Sequence, residues 1–489
     1  MNMKKMLAVV ATMSLVAVAA PAFAENPFSD VPLNHWAYDA VEQLASRGIL
    51  EGYPNGTFKG NRAMTRYEIA AMVARMMDAD LSGADLDQLK ALVVEFKPEL
   101  EALGVKVDSF DSRLSALERG VGGLRINGQL RFDGRLYDEP EDGGGNGDNG
   151  FQMNRARFFL HRDLSNGVSW DGRWNSDRFD RFYVTVKNFM GLDGLRFKAG
   201  QFPINPEADE DMYFYEGLPF MMNIPYRGIE LQYEKGPLRI EGFVASNGPR
   251  NDISVYTSNA SSDLYGSHIV YHFGEKGFIA LHGLWSDDDQ AVTDIDGNEL
   301  TNGTNFDSYW GTLCFNIMNG LQLKGSYYIE DLADDVAAIA GDDSPTAYKI
   351  IIDAEQNVLK YTALWAEYAH FDAGFILHNT PYGYDTSLWP AEGQFALCDY
   401  ITTGDEDIDV LFIHAKQQWT SKWSTFLRYT NFDGDTGDAT EWGGGVGLQY
   451  SPNLYLELGV VDQDGRFESG GINEDYDNVL VRFRTWLNF

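Results

Sequence analysis

The sequence predicts a mainly β protein: a membrane-spanning antiparallel β-barrel of about 16 strands, preceded by a small all-α module and a coiled-coil stalk. Three observations predict it. From residue 125 to the end, apolar and polar residues alternate with period 2. Between residues 85 and 124, apolar residues recur with a strict 3.5 period. After residue 24, no apolar stretch approaches the roughly 20 residues that a spanning helix needs.

The composition sharpens this class. A formal net charge of −35 argues against nucleic acid as a partner, because phosphate binding needs a basic surface. Two cysteines, Cys314 and Cys398, allow at most one internal disulfide; their pairing does not follow from the sequence. Neither sits in a Cys-x-x-Cys metal spacing. The 13% aromatic content suits a chain that meets a membrane interface.

Residues 1–24 read as a signal peptide. Lys4 and Lys5 form a positive start, Met6 to Ala20 is too short to span comfortably, and Ala22-Phe23-Ala24 supplies small residues for cleavage. The all-α module follows at 25–80. Asn34 is placed to cap a helix whose Trp36, Val41, Leu44 and Ala45 share one face. Gly48 ends it, and "GYPNGTF" brings proline and Asn-Gly turn chemistry. The next helix opens on "TRYE", where Thr65 and Glu68 have the spacing of a capping box.

In this order, the F-x-D-V start, the H-W-A helix, the G-Y-x-x-G-T-F turn and the T-R-x-E helix start resemble an S-layer homology domain. Asn55, Gly60 and Tyr67 depart from that family's usual Asp, Pro and Ala. The resemblance implies peptidoglycan, or a polymer attached to it, as the partner. Trp36 reads as core and Glu68 as a cap, each also a candidate wall contact. Arg66, always charged, suits an anionic or hydroxyl-rich ligand, and Asp30 a cationic one such as polyamine-modified peptidoglycan. Soluble wall-anchored members of that family usually carry three such modules around a pseudo-threefold axis; the single copy here implies that three chains supply them.

Residues 81–124 read as the stalk. Leu86, Leu89, Val93, Phe96, Leu100, Leu103, Val107, Phe110, Leu114, Leu117, Val121 and Leu124 alternate spacings of 3 and 4. Pro98 falls on the outer side and is expected to kink or restart the helix. Fully helical, the stalk reaches roughly 60 Å.

Residues 125–489 read as the barrel. In "RINGQLRFDGRLY", Ile126, Leu130, Phe132 and Leu136 oppose Asn127, Gln129, Arg131, Asp133 and Arg135. In the last strand, Val479, Val481, Phe483 and Leu487 oppose Arg482, Arg484 and Asn488. Such strands meet lipid on one face and water on the other. Short turns ("DLSNG", "GEKG", "SPN") interleave with long acidic loops such as 138–150, 286–305 and 466–477. The stretch 332–406 does not resolve into strands, which leaves a range of 14 to 18 by the even-number rule.

Barrel closure places Arg131, Arg135, Arg155, Arg157 and Arg173 beside Arg482 and Arg484 as one basic wall. The segment 205–225 is expected to fold inward, setting Glu207, Asp209, Glu210, Asp211 and Glu216 across from those arginines and creating a transverse field at the waist. The acidic outer loops, "DIDGNE" among them, offer oxygen ligands to Ca2+ but lack a full calcium-loop spacing, so solvation is the default.

The order of parts resembles the OmpM-type tethering porins of diderm Firmicutes. The resemblance implies a homotrimer in the outer membrane, among its lipids and lipopolysaccharide, with the first module and stalk in the periplasm. It implies passive diffusion of small hydrophilic solutes and a grip on peptidoglycan, with no cofactor. Two alternatives stay open: a non-conducting tether, and a channel selective for anions or oligosaccharides, which "LRFKAGQF" resembles weakly. An enzyme is not expected, since neither G-x-S-x-G nor H-E-x-x-H occurs.

Overall fold

The computed structural model describes residues 66–78, 92–93, 95–102 and most of 123–489. Within the last range it leaves out 138–149, 215–218, 222–223, 247–261, 289–291, 294–298, 302–304, 378–381, 383–395, 398–399, 403–406 and parts of four short turns. The signal peptide, Asp30, Trp36, Thr65, Glu216, Cys398 and the "DID" of the calcium-like loop therefore lie outside the described residues. The chain divides into two units, Met1–Arg125 and Ile126–Phe489.

In the first unit, α1 (Arg66–Asp78) packs Ala70 and Val73 against Val93, Phe96 and Leu100. Helical hydrogen bonds run from Phe96 N to Leu92 O and from Leu100 N to Phe96 O, and α2 (Lys97–Ala102) follows a turn at Phe96. That turn lies just ahead of Pro98, which has no N–H for the residue four back. Three of the positions expected to face other stalk helices thus pack on α1 within the chain.

The second unit is a closed antiparallel barrel of 18 strands. They are β1 (Leu124–Tyr137), β2 (Gly150–Ser165), β3 (Val168–Asn175), β4 (Arg178–Lys187), β5 (Leu195–Ile204) and β6 (Ile224–Lys235). Next come β7 (Leu238–Ser246), β8 (Ser262–His272), β9 (Gly277–Asp288), β10 (Phe306–Met318), β11 (Leu321–Leu332) and β12 (Thr346–Ala354). The remainder are β13 (Ala363–Phe371), β14 (Ile408–Gln418), β15 (Trp423–Gly434), β16 (Gly437–Ser451), β17 (Leu454–Ser469) and β18 (Ile472–Asn488). β1 pairs with β18 from Gln129↔Asn488 to Tyr137↔Leu480, and Phe489 N donates to Gly128 O at 2.9 Å, so no edge remains.

Eighteen strands is the top of the expected range, two more than its central value. One loop expected at 466–477 is instead strand: β17 and β18 pair from Ser469↔Ile472 onward. At 292–301 a small hairpin, Val292–Thr293 with Glu299–Thr301, decorates a loop.

The exterior is apolar: Leu281, Leu313, Ile350 and Leu427 are exposed while their neighbours His282, Thr312, Lys349 and Arg428 are buried. A closed barrel with that outer face spans a membrane. Among the described residues no helix is long and apolar enough to do so. Gly200 in β5 has φ +127°, and a Cβ there would collide with the carbonyl oxygen of Phe182, so the "KAGQF" glycine is a requirement of strand packing.

Candidate functional site: the barrel lumen

The segment after β5 turns into the barrel. Asn205 Oδ1 accepts from Ala208 N at 3.0 Å, and Pro206 sits in the first turn of the short helix α3 (Pro206–Asp209). That cap and proline are the local reasons why the chain turns here. Glu207 then braces the loop twice. Its Oε2 accepts from Met221 N at 2.7 Å, tying the loop's two ends together. Its Oε1 accepts from Tyr328 Oη at 2.8 Å and Lys349 Nζ at 2.7 Å, tying the loop to β11 and β12.

The other loop carboxylates dock on neighbouring strands. Glu210 lies 3.0 Å from His268 Nε2 on β8 and 3.2 Å from His282 Nε2 on β9. Burial pushes the Glu210 carboxyl up, but the two imidazoles beside it outweigh burial and hold the group down at about 2. Asp211 pairs with Lys324 on β11 at 2.6 Å, and Asp209 lies 3.6 Å from Arg239 on β7. Asp209 and Asp211 remain largely open to the lumen, with side chains 56% and 71% exposed.

The arginines occupy the wall expected for them, but their partners differ from the expectation. Arg484 makes two hydrogen bonds to Asp133, at 2.8 and 2.7 Å. Arg173 Nε donates to Asp180 at 2.7 Å, and Arg482 to Glu457 at 2.8 Å. Arg135 is buried in the wall. Arg131 lies 3.8 Å from Asp133 and 5.9 Å from the Trp486 ring. Arg157 donates to Asn175 at 3.1 Å. Arg155 donates to Gln129 at 3.2 Å and lies 5.3 Å from the Trp486 ring, with no carboxylate partner among the described residues. None of the arginines expected to face the loop is paired with Glu207, Asp209, Glu210 or Asp211. Glu207 and Glu210 are already buried against lysine and histidine, and Asp209 and Asp211 already meet Arg239 and Lys324, so they have no reason to reach across.

A second inward segment has no counterpart among the sequence expectations. After β13, Phe375, Ile376 and Leu377 are fully buried, and Tyr382 is nearly so. Glu330 on β11 accepts from Ile376 N at 2.8 Å. Glu367 on β13 accepts from Tyr382 Oη at 2.7 Å, and Arg428 on β15 donates to Tyr382 O at 2.6 Å. Together with Met212, Phe220, Met221, Phe371, Phe412 and Phe432, the side chains of Phe375, Leu377 and Tyr382 form an apolar core inside the barrel, while Ile376 packs with Phe306, Leu332 and Val336. Polar residues at alternate strand positions, such as Lys324, Lys349, Glu367 and His268, were the only available signal for this ring.

Two cavities flank the loop. One of about 870 Å³ opens toward the short turns and is lined by Asp211, Asp353, Glu355, Glu275 and Lys276 among others. The second, about 380 Å³, is lined by Arg181, Arg196, Lys198, Asp209, Tyr213, Glu230 and Glu241 among others. Lys198 and Arg196 both pair with Glu230, at 2.7 and 3.4 Å.

Of the expected wall-binding residues, Arg66 and Glu68 are described. Arg66, expected to meet a ligand, instead donates to Glu99 at 2.6 Å, to Glu95 at 3.0 Å and to the Glu95 carbonyl at 3.0 Å. It also lies 4.7 Å from the Phe96 ring. In this structure it clamps α1 to the segment carrying α2. Glu68 is half-buried on α1. Cys314 is a buried free thiol on β10.

The S-layer homology domain model matches residues 27–70. Outer membrane protein SlpA of Deinococcus radiodurans is 40% identical over 92 residues, which cover 17% of this chain and 8% of that protein. Outer membrane protein alpha of Thermotoga maritima is 40% identical over 129 residues, or 26% and 31% of the two chains. The chain thus spans less than a third of the length of either relative. Among solved structures, OccD3 of Pseudomonas aeruginosa is 14% identical, with a TM-score of 0.46 over 75% of this chain and 91% of that one. A BenF-like porin of Pseudomonas fluorescens Pf-5 is 13% identical, with a TM-score of 0.45 over 75% and 99%.

Proposed function

We propose that this outer-membrane barrel, carried with an S-layer homology domain, is a homotrimeric channel. Small hydrophilic solutes pass through it by diffusion, while the amino-terminal module holds the membrane to peptidoglycan. The observation that carries the reading is the lumen: a closed barrel with an apolar exterior and a charge-lined interior, narrowed by a loop docked from within. Water and ions move only through such a polar path, and the charges along it select which solutes enter.

Two cations favour anionic solutes locally. Arg155 and Arg181 have no carboxylate within ion-pair distance among the described residues, and Arg181 lines the smaller cavity. The loop carboxylate Glu207 is neutralised by Lys349 where it docks, so it contributes little field to the path. No catalytic role is proposed for any residue.

Single-channel recording of the full-length protein in planar bilayers tests the reading. Discrete, ohmic openings in multiples of three are expected. The apolar core formed by the two inward segments favours the alternative of a sealed, purely mechanical tether, and a silent bilayer would establish that reading instead. The wall grip is tested by sedimentation of the full chain with purified peptidoglycan, with and without amine decoration. Preference for the decorated wall supports polyamine recognition through Asp30, and equal binding removes it.

A further inference from the structure

We propose that Glu210, His268 and His282 form a binding site for a transition-metal ion, Zn2+ by class, which staples the inward loop to the barrel wall. The inference stands whether or not the lumen conducts. His268 and His282 are directly opposed in the β8–β9 register, so both imidazoles project from one face of the sheet. Their rings lie 4.6 Å apart at 25°, and His282 in turn stacks on Trp310 at 4.4 Å and 5°, which fixes its orientation. Glu210 arrives from the loop, and its Oε1 reaches both Nε2 atoms, at 3.0 and 3.2 Å.

Those separations have a chemical meaning. Three ligands bound tetrahedrally at 2.0–2.1 Å lie about 3.3 Å from one another, so the carboxylate stands at nearly that spacing from both nitrogens. The three ligand atoms all lie within 4.8 Å of one another. All three side chains are at most 3% exposed. An independent observation also points to a ligand: among the described residues, Glu210 Oε2 and His282 Nε2 are buried without a hydrogen-bond partner. Buried polar atoms are seldom left in that condition.

Two imidazoles and one carboxylate suit zinc or copper rather than calcium or magnesium, which require mostly oxygen ligands. Arg239 opposes the ion. Its Nη2 lies 3.4 Å from His268 Nε2, and metal entry requires it to turn toward Asp209, 3.6 Å away on its other nitrogen. The competing arginine predicts moderate rather than extreme affinity.

The test uses the full-length chain folded in detergent and titrated with CoCl2, whose d–d bands report tetrahedral nitrogen and oxygen ligation, followed by displacement with ZnCl2. One equivalent per chain with intense visible bands is expected, with no response to CaCl2. His282→Phe, which keeps the stacking on Trp310, should weaken binding by tenfold or more, as should Glu210→Gln. Arg239→Gln should tighten it. X-ray absorption of the zinc-loaded wild-type chain should show two imidazoles per ion, and this readout does not depend on any variant folding. Absence of the cobalt bands, or equal binding by wild type and His282→Phe, would overturn the proposal.

Discussion

The two walls of the lumen use the same chemistry to different ends. On β1–β3 and β18, arginines pair with carboxylates of their own or adjacent strands: Arg484 with Asp133, Arg173 with Asp180, Arg482 with Glu457. On β7–β12, the side chains of His268, His282, Lys324 and Lys349 pair with a loop that comes from elsewhere in the chain. The pairs of the first wall form without the loop, whereas in the second Lys349 meets a carboxylate that only the loop brings, and Lys324 meets both the loop's Asp211 and Asp353 on β12 at 3.1 Å. A pair within the wall therefore stiffens the barrel, and a pair with the loop sets the width of the waist.

Substitutions on the two sides should separate these roles. Glu207→Ala has the largest expected effect. It removes the acceptor for Met221 N, Tyr328 Oη and Lys349 Nζ and leaves Lys349 as a buried, unpaired cation. A loss of about 3–5 kcal/mol is expected, concentrated in loop docking. Hydrogen exchange should accelerate across 206–221, and the unitary conductance should rise. Lys349→Met tests the same brace from the wall, with a smaller loss because Glu207 keeps two donors.

Arg482→Met should also destabilise the barrel, by about 3 kcal/mol, because Glu457 is left buried. Conductance, however, should hold at the wild-type value. A conductance change in this variant, or none in Glu207→Ala, would erase the distinction between the walls. Arg155→Gln should leave stability within about 0.5 kcal/mol and shift the reversal potential in a salt gradient toward cations.

The smallest effect lies in the first unit. A hydrogen bond from Arg66 is the main reason that the Glu99 carboxyl is held below its ordinary value of 4.5. The folded-state value is the depressed one, so the clamp's contribution is present above about pH 4.5 and lost as pH falls through the folded value. Amide protection in 66–78 and 95–102 of the full chain, corrected for intrinsic exchange, should fall in that acidic window and stay flat from pH 5 to 8.

Legibility in the sequence followed the same division. Strands with water on the inner face, such as β1 and β18, alternate visibly, residue by residue. β12 and β14 do not, because their inner faces meet the apolar core: Ile350 points out while Ile351 points in, and Leu411 points out between Val410 and Phe412. With both faces apolar the period-2 signal weakens, which is why β12 does not resolve within 332–406 from sequence. His268 and His282 are invisible there as a pair, because only the β8–β9 register brings them face to face.

The sequence by itself determined the switch from period 3.5 to period 2 and the barrel with its alternating apolar and polar faces. These are local or periodic properties, written in neighbouring residues. Only the tertiary structure decided which charge meets which: Lys349 lies 142 residues from Glu207, and Arg484 lies 351 from Asp133. Such pairs depend on barrel closure and strand register. Closure sets the distances between charges, and in a dry interior distance decides whether a carboxylate faces the channel or is held against the wall.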